Sequence, residues 1–192
     1  MKVRVTVTLV AALALGVGSA SAQSIGLYFD PSSATCSSAP TLFTPGTMYV
    51  LAVLSGADSG GITGAEFQIQ NFPAWFPSAN AHAGATTIGN PLTGGANIAF
   101  SPCDTGAGGL VVLYTNNYFI TSAVSDVTVS ILRHTNPSNP FFLCSLVTLC
   151  DAPAFTKVCV NGGQAFINPV GRTCTVGVQP ATWSQVKGLY AQ

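Results

Sequence analysis

His82, His134, Glu66 and six cysteines are the groups in this chain with the most chemical reach. Both histidines sit in loop-like sequence, Asn80-Ala81-His82-Ala83 and Arg133-His134-Thr135-Asn136. A serine nucleophile would need one of them as its base and a carboxylate to orient that base. No G-x-S-x-G elbow accompanies them, so such a site would have to be assembled across distant loops. A surface histidine is the simpler reading. Glu66 is the only glutamate, and it lies mid-strand on the polar face of an alternating segment. Glycoside hydrolysis needs two carboxyl groups flanking one bond, so Glu66 reads as a solvated strand residue.

Metal chemistry has no organised signal: there is no D-x-D-x-D-G loop, no H-E-x-x-H and no C-x-x-C pair. Asp30, Asp58, Asp104 and Asp151 each border loops, and a calcium ion shared between loops is the alternative to plain turn residues. No metal and no cofactor are expected.

The cysteines have a clearer context. Lys2 and Arg4 precede an apolar run from Val5 to Val17, and Gly18-Ser19-Ala20-Ser21-Ala22 supplies an A-x-A cleavage site. That is a secretory signal peptide over 1–22, too short in its apolar part to span a bilayer. Residues 23–192 then form one domain that meets an oxidising compartment, where Cys36, Cys103, Cys144, Cys150, Cys159 and Cys174 pair. Six cysteines allow fifteen connectivities. If Leu146–Leu149 and Phe155–Val160 are antiparallel neighbours, Cys150 faces Cys159. The remaining four are expected as Cys36 with Cys103 and Cys144 with Cys174, which joins early loops to early loops and late strands to late strands.

Aromatic side chains carry the best binding signal. Asn71-Phe72-Pro73-Ala74-Trp75-Phe76-Pro77 places three rings in a proline-stiffened loop, and Asn117-Tyr118-Phe119 adds two. Phe72, Trp75, Phe76 and Tyr118 form the candidate ligand surface, since exposed rings stack on sugars or anchor protein partners. The competing expectation is that these rings fold back and plug one end of the domain.

The elements that must position these groups are strands. Ala65, Phe67 and Ile69 alternate with Glu66, Gln68 and Gln70, and Val127, Val129 and Ile131 alternate with Thr128 and Ser130. Met48–Leu54 and Leu110–Tyr114 are continuous apolar runs, as expected of strands covered on both faces. Ile25–Phe29, Asn97–Phe100, Leu146–Leu149, Phe155–Val160, Gln164–Ile167 and Cys174–Val178 complete the set. Asn161-Gly162-Gly163 predicts a hairpin between Phe155–Val160 and Gln164–Ile167. Phe72–Thr93 lacks periodicity and reads as a long loop over the sandwich. Thr182-Trp183-Ser184-Gln185 has capping-box spacing and opens a short C-terminal helix with Trp183, Val186 and Tyr190 on one face.

Composition narrows the partners. After signal removal four cations face six carboxylates, a net charge of −2. Four scattered cations cannot neutralise a phosphate backbone or hold an anionic membrane surface, so nucleic acid is excluded. No apolar run after the signal is long enough for a membrane span.

Gly61-Ile62-Thr63-Gly64-Ala65-Glu66-Phe67-Gln68-Ile69, following the strand Met48–Leu54, resembles the early strands of cohesin-like, immunoglobulin-like bacterial modules. As a whole the chain is also similar to secreted proteins of environmental bacteria. The short strands and frequent turns read as an all-β sandwich of about 8–10 strands, with an unclosed barrel as the alternative. The resemblance implies the same sandwich fold, and no binding residue is carried over from it. The expected function is a non-catalytic structural, surface or adhesion module, secreted or at the cell surface. Its partner would be an extracellular protein or polysaccharide. A glycan-binding module using the Phe72–Phe76 loop and a secreted hydrolase with a loop-assembled site are the alternatives.

Overall fold

The computed structural model describes residues 24–54, 60–81 and 85–174. The expected signal peptide, Asp58, His82, most of the strand expected over Cys174–Val178 and the expected C-terminal helix lie outside them. Among the described residues twelve strands follow in chain order, and no helix. They are β1 (Ser24–Tyr28), β2 (Ser37–Ser38), β3 (Pro45–Val53), β4 (Ile62–Gln70), β5 (Phe76–Ala81) and β6 (Ala85–Asn90). β7 (Gly95–Asp104), β8 (Leu110–Phe119), β9 (Val127–Leu132), β10 (Ser145–Leu149), β11 (Lys157–Gly162) and β12 (Gln164–Ile167) complete them.

The chain is a β-sandwich. One layer runs β5-β8-β3-β1 and the other β6-β7-β4-β10-β11, with β12 and β2 attached through β9. The layers meet where β1 pairs in parallel with the end of β11, Ser24 with Asn161 and Ile25 with Gly162. The alternation read from the sequence holds: Ala65, Phe67 and Ile69 of β4 enter the core with Val129 and Ile131 of β9. They meet Ile25, Leu27, Met48, Val50, Val111 and Leu113 from the facing layer. Continuous apolar runs are explained by a second, smaller cluster on the outer face. There Leu51, Tyr49 and Val112 are covered by Tyr28, Cys36 and Cys174. Register shifts between Val50 and Leu51, where Leu113 is the extra residue, so the inward face changes parity along β8.

Two expectations are corrected. Phe72–Thr93 is not one loop but contains β5 and β6, both edge strands. β6 is mostly exposed and has no apolar alternation to read, and Pro77 of β5 is tolerated because an edge has a side without partners. The hairpin through Asn161-Gly162-Gly163 is also absent. β11 pairs with β10 and β1, whereas β12 pairs with β9 and β2. At this point the chain changes neighbours: the Gly163 N–H donates to Ile25 O at 2.7 Å and its carbonyl accepts from Ile131 N–H at 3.0 Å. A side chain at Gly162 would sit 2.1 Å from Ile131 O, so only glycine fits the crossing.

All six cysteines pair, but not as expected. The bridges are Cys36–Cys174, Cys103–Cys150 and Cys144–Cys159. β10 and β11 are indeed antiparallel neighbours, and register decides the rest. Leu146 faces Cys159, which brings Cys159 to Cys144 and leaves Cys150 beyond the strand end. Ile62 of β4 registers with both Leu149 and Asp104, so Cys150 and Cys103 meet across the start of β4. Cys36 in the β1–β2 connection is then left to Cys174.

β9 and β10 occupy successive halves of one edge of β4. Gln68 registers with Leu132 and Glu66 with Leu146, while β7 takes the other edge. Residues 133–144 are therefore an excursion between two stretches bound to the same strand.

Candidate functional site

The aromatic residues singled out from the sequence divide between core and surface. Trp75 and Tyr118 are buried and Phe72 is half-buried. Trp75 stacks on Tyr118 with centroids 5.2 Å apart and planes at 25°. Phe72 meets both edge-on, at 5.9 Å to Trp75 and 5.3 Å to Tyr118. The Trp75 indole N–H donates to Ser122 O at 2.9 Å, which satisfies its one polar atom. Tyr118 lies over Gly46, the residue registered with it on β3, where an added Cβ would fall 2.4 Å from the ring. These three rings plug the end of the sandwich, and the expectation of a ligand surface is corrected for Trp75 and Tyr118. Their hydrogen bonding and burial serve the fold.

Burial pushes the Tyr118 hydroxyl up to about 12 from its ordinary 10.0, and raises Tyr28 and Tyr114 as well. The neutral phenol is thus favoured by folding. Its contribution is complete below about pH 10 and is lost as pH rises through about 12, because the unfolded chain releases the proton first. An alkaline titration should show tyrosinate absorbance from these residues appearing late and together with unfolding. Ionisation near pH 10 of every tyrosine in the native protein would contradict the plug.

Phe76 is the exception. It follows Trp75 with the opposite orientation and is 74% exposed. Its registered partner on β8 is Phe119, also exposed, and Phe119 registers on its other side with Pro45. Leu42 and Phe43, exposed as well, lead into Pro45 and are tied to the same end, since Phe43 N–H donates to Ile120 O at 2.9 Å. Phe43 has φ of +62°, a conformation that costs a bulky L-residue on the order of 1 kcal/mol or more. In the same ladder the Thr47 hydroxyl donates to Asn117 Oδ1 at 2.9 Å. The result is an apolar surface patch of four large side chains backed by the aromatic plug. Phe43 gave no sequence signal beyond its type, since its role depends on an unusual dihedral.

A second region lies on the outer face of β7-β4-β10, under residues 133–144. Glu66 is buried here, and the expectation of a solvated residue is corrected. The excursion returns over β4, and the Ser138 N–H donates to both carboxylate oxygens of Glu66, at 3.1 and 3.0 Å. A groove of about 210 Å³ beside it is lined by Glu66, Asn97, Thr63, Thr148 and Lys157. The loop is held at further points: Thr135 N–H bonds Gly94 O at 2.9 Å, Arg133 Nη1 bonds Phe142 O at 3.3 Å, and Cys144 is bridged to Cys159. Phe141 and Leu143 project from it into solvent.

His134 lies in this loop without a catalytic arrangement. Its Nδ1, the atom a carboxylate would orient in a triad, accepts the Asn136 N–H at 2.9 Å. Of the loop-border aspartates, the described ones, Asp30, Asp104 and Asp151, do not gather into a metal-holding group. Asp30 accepts from the Ser32 hydroxyl and from the amides of Ser32, Ala34 and Thr35, and Asp151 accepts from the amide and hydroxyl of Thr156. Those hydrogen bonds hold the Asp30 and Asp151 carboxyls below their ordinary range. Among the described residues no three His, Cys, Asp or Glu side chains gather around one point, and no helix is long and apolar enough to cross a membrane.

No protein-family model and no curated protein matches the chain. Among solved structures the chain is distantly cohesin-like. It is similar to a cohesin module from a family 33 glycoside hydrolase of Clostridium perfringens, at 9% identity over 77% of this chain and 98% of that one, with a TM-score of 0.49. It is similar to the seventh ScaB type I cohesin of Pseudobacteroides cellulosolvens, at 8% identity over 80% and 96% of the two chains, with a TM-score of 0.47. The sixth cohesin of scaffoldin B from Acetivibrio cellulolyticus, solved in complex with a Cel5 dockerin, gives 16% identity over 78% and 99%, with a TM-score of 0.44.

Proposed function

We propose that this protein is a non-catalytic adhesion or scaffold module that works outside the cytoplasm. The observation that carries this reading is the patch of Leu42, Phe43, Phe76 and Phe119. Four large apolar side chains stay in water at one end of the sandwich, one of them at an unfavourable backbone dihedral. Contiguous exposed apolar surface of this kind marks an interaction site, and aromatic anchors dominate the energetics of such sites. Large aromatic and aliphatic side chains of this kind suit an apolar pocket on a protein partner. Three bridges within one domain support an oxidising, extracytoplasmic setting.

The test uses the oxidised protein and an immobilised extracellular protein fraction from the cells that export it. Phe76→Ser with Phe119→Ser should reduce retention at least tenfold while shifting the melting temperature little, since both side chains are exposed. Equal retention by this variant would remove the patch from the function. Hydrolysis of ester, peptide or glycoside substrates that disappears in His134→Ala or Glu66→Ala would overturn the non-catalytic reading outright.

A further inference from the structure

Between the β6–β7 turn and residues 134–136 lies a recess of about 380 Å³, distinct from the aromatic patch. We propose that it binds a short neutral carbohydrate. Its lining combines polar side chains with Ile88 and three glycines, Gly89, Gly94 and Gly95, and no Asp, Glu, Lys or Arg takes part. Asn90, Asn97 and Asn136 supply amides, Thr93 a hydroxyl and His134 an imidazole. Amides and hydroxyls offer donors and acceptors side by side, which matches the alternating hydroxyls of a sugar. Phosphate or carboxylate ligands draw their strength from a cation, and none is present here. The volume falls in the lower part of the range for small-molecule sites, about 300–1,000 Å³.

The recess is held in shape by its own hydrogen bonds. Because His134 Nδ1 accepts the Asn136 N–H, the neutral ring carries its proton on Nε2, which becomes a donor. Asn90 Oδ1 accepts the Leu92 N–H at 2.9 Å, so its amide NH2 remains as the group to donate. Thr135 uses both its N–H and its hydroxyl on Gly94 O, which locks the loop onto the turn. The His134 ring packs against Gly95, where a side chain would lie 2.3 Å from its Cδ2. Ile88, 70% exposed at the rim, gives the C–H face of a sugar ring an apolar surface. Preformed polar groups of fixed orientation lower the ordering cost of binding a small ligand.

The experiment is an amide-resolved NMR titration of the oxidised protein with D-glucose, N-acetyl-D-glucosamine, cellobiose and chitobiose. At least one of these neutral probes should give saturable shifts centred on Asn97, His134 and Asn136. Asn136→Ala, a change on an exposed loop, should weaken that binding at least tenfold with the rest of the spectrum unchanged. Glucose 6-phosphate should bind no better than glucose. Phe76→Ser with Phe119→Ser should leave the titration as it was, so failure of the adhesion reading and failure of this one are separable. Absence of saturable shifts with every neutral probe overturns the proposal. So do shifts centred on Phe76 and Phe119, preference for the phosphorylated sugar, or saturation of the same amides by a neutral tetrapeptide in place of the sugars.

Discussion

Serine at both Cys36 and Cys174 should destabilise the protein by about 5 kcal/mol, the largest loss among the three bridges. The bridge closes a loop with a sequence separation of 138, against 47 for Cys103–Cys150 and 15 for Cys144–Cys159. Restricting the unfolded chain is worth more for longer loops, so the other two removals should cost about 4 and about 3 kcal/mol. Cys36 is also buried against Tyr28 and Leu51, where a hydroxyl fits less well than sulfur. Set against a typical stability of about 5–15 kcal/mol, the first loss removes between about a third and all of it. Denaturant midpoints of the three double-serine variants decide the order. A larger loss for Cys144 and Cys159 would show that the bridges act through native contacts and not through the unfolded chain.

Trp75→Ala should cost about 3–5 kcal/mol, while Phe76→Ala should stay within about 0.5 kcal/mol. The two residues are adjacent, yet Trp75 is 3% exposed and Phe76 74%. Truncating the indole opens a cavity beside Tyr118 and Phe72 and leaves Ser122 O without its donor. Truncating Phe76 only removes a ring from water. Thermal or denaturant melts of the two variants make the comparison. Similar losses for both would mean that the β5 end is organised differently from what the plug requires.

What could be read from residues alone was whatever depends on local pattern. Alternation in Thr63–Gln70 and Val127–Ile131 located β4 and β9 and assigned their inward faces correctly. Continuous apolar runs located β3 and β8, because Leu51 and Val112 have an outer cluster to cover them. Register was not legible. It placed Cys159 opposite Leu146 rather than Cys150, and sent β12 to β9 rather than to β11. Glu66 was assigned the right face and the wrong environment, since its burial comes from Ser138, far along the chain and joined to it only by tertiary structure. The aromatic run from Phe72 to Phe76 had the right composition for a binding surface. Which rings face inward depends on where β5 begins, and an edge strand carries too little buried surface to announce its start.

The Cys36–Cys174 bridge also changes what a protease can accomplish. Every peptide bond between these two cysteines lies inside a covalent ring, so a single cut there releases no fragment. A cut beside Phe141, on the exposed loop, lies inside the Cys103–Cys150 ring as well. The severed ends would still be tethered through sulfur and held by strands on both sides of the break. Clipped and intact molecules would then run as one species until a reductant is added, and shedding the domain by proteolysis would require cleavage outside the ring.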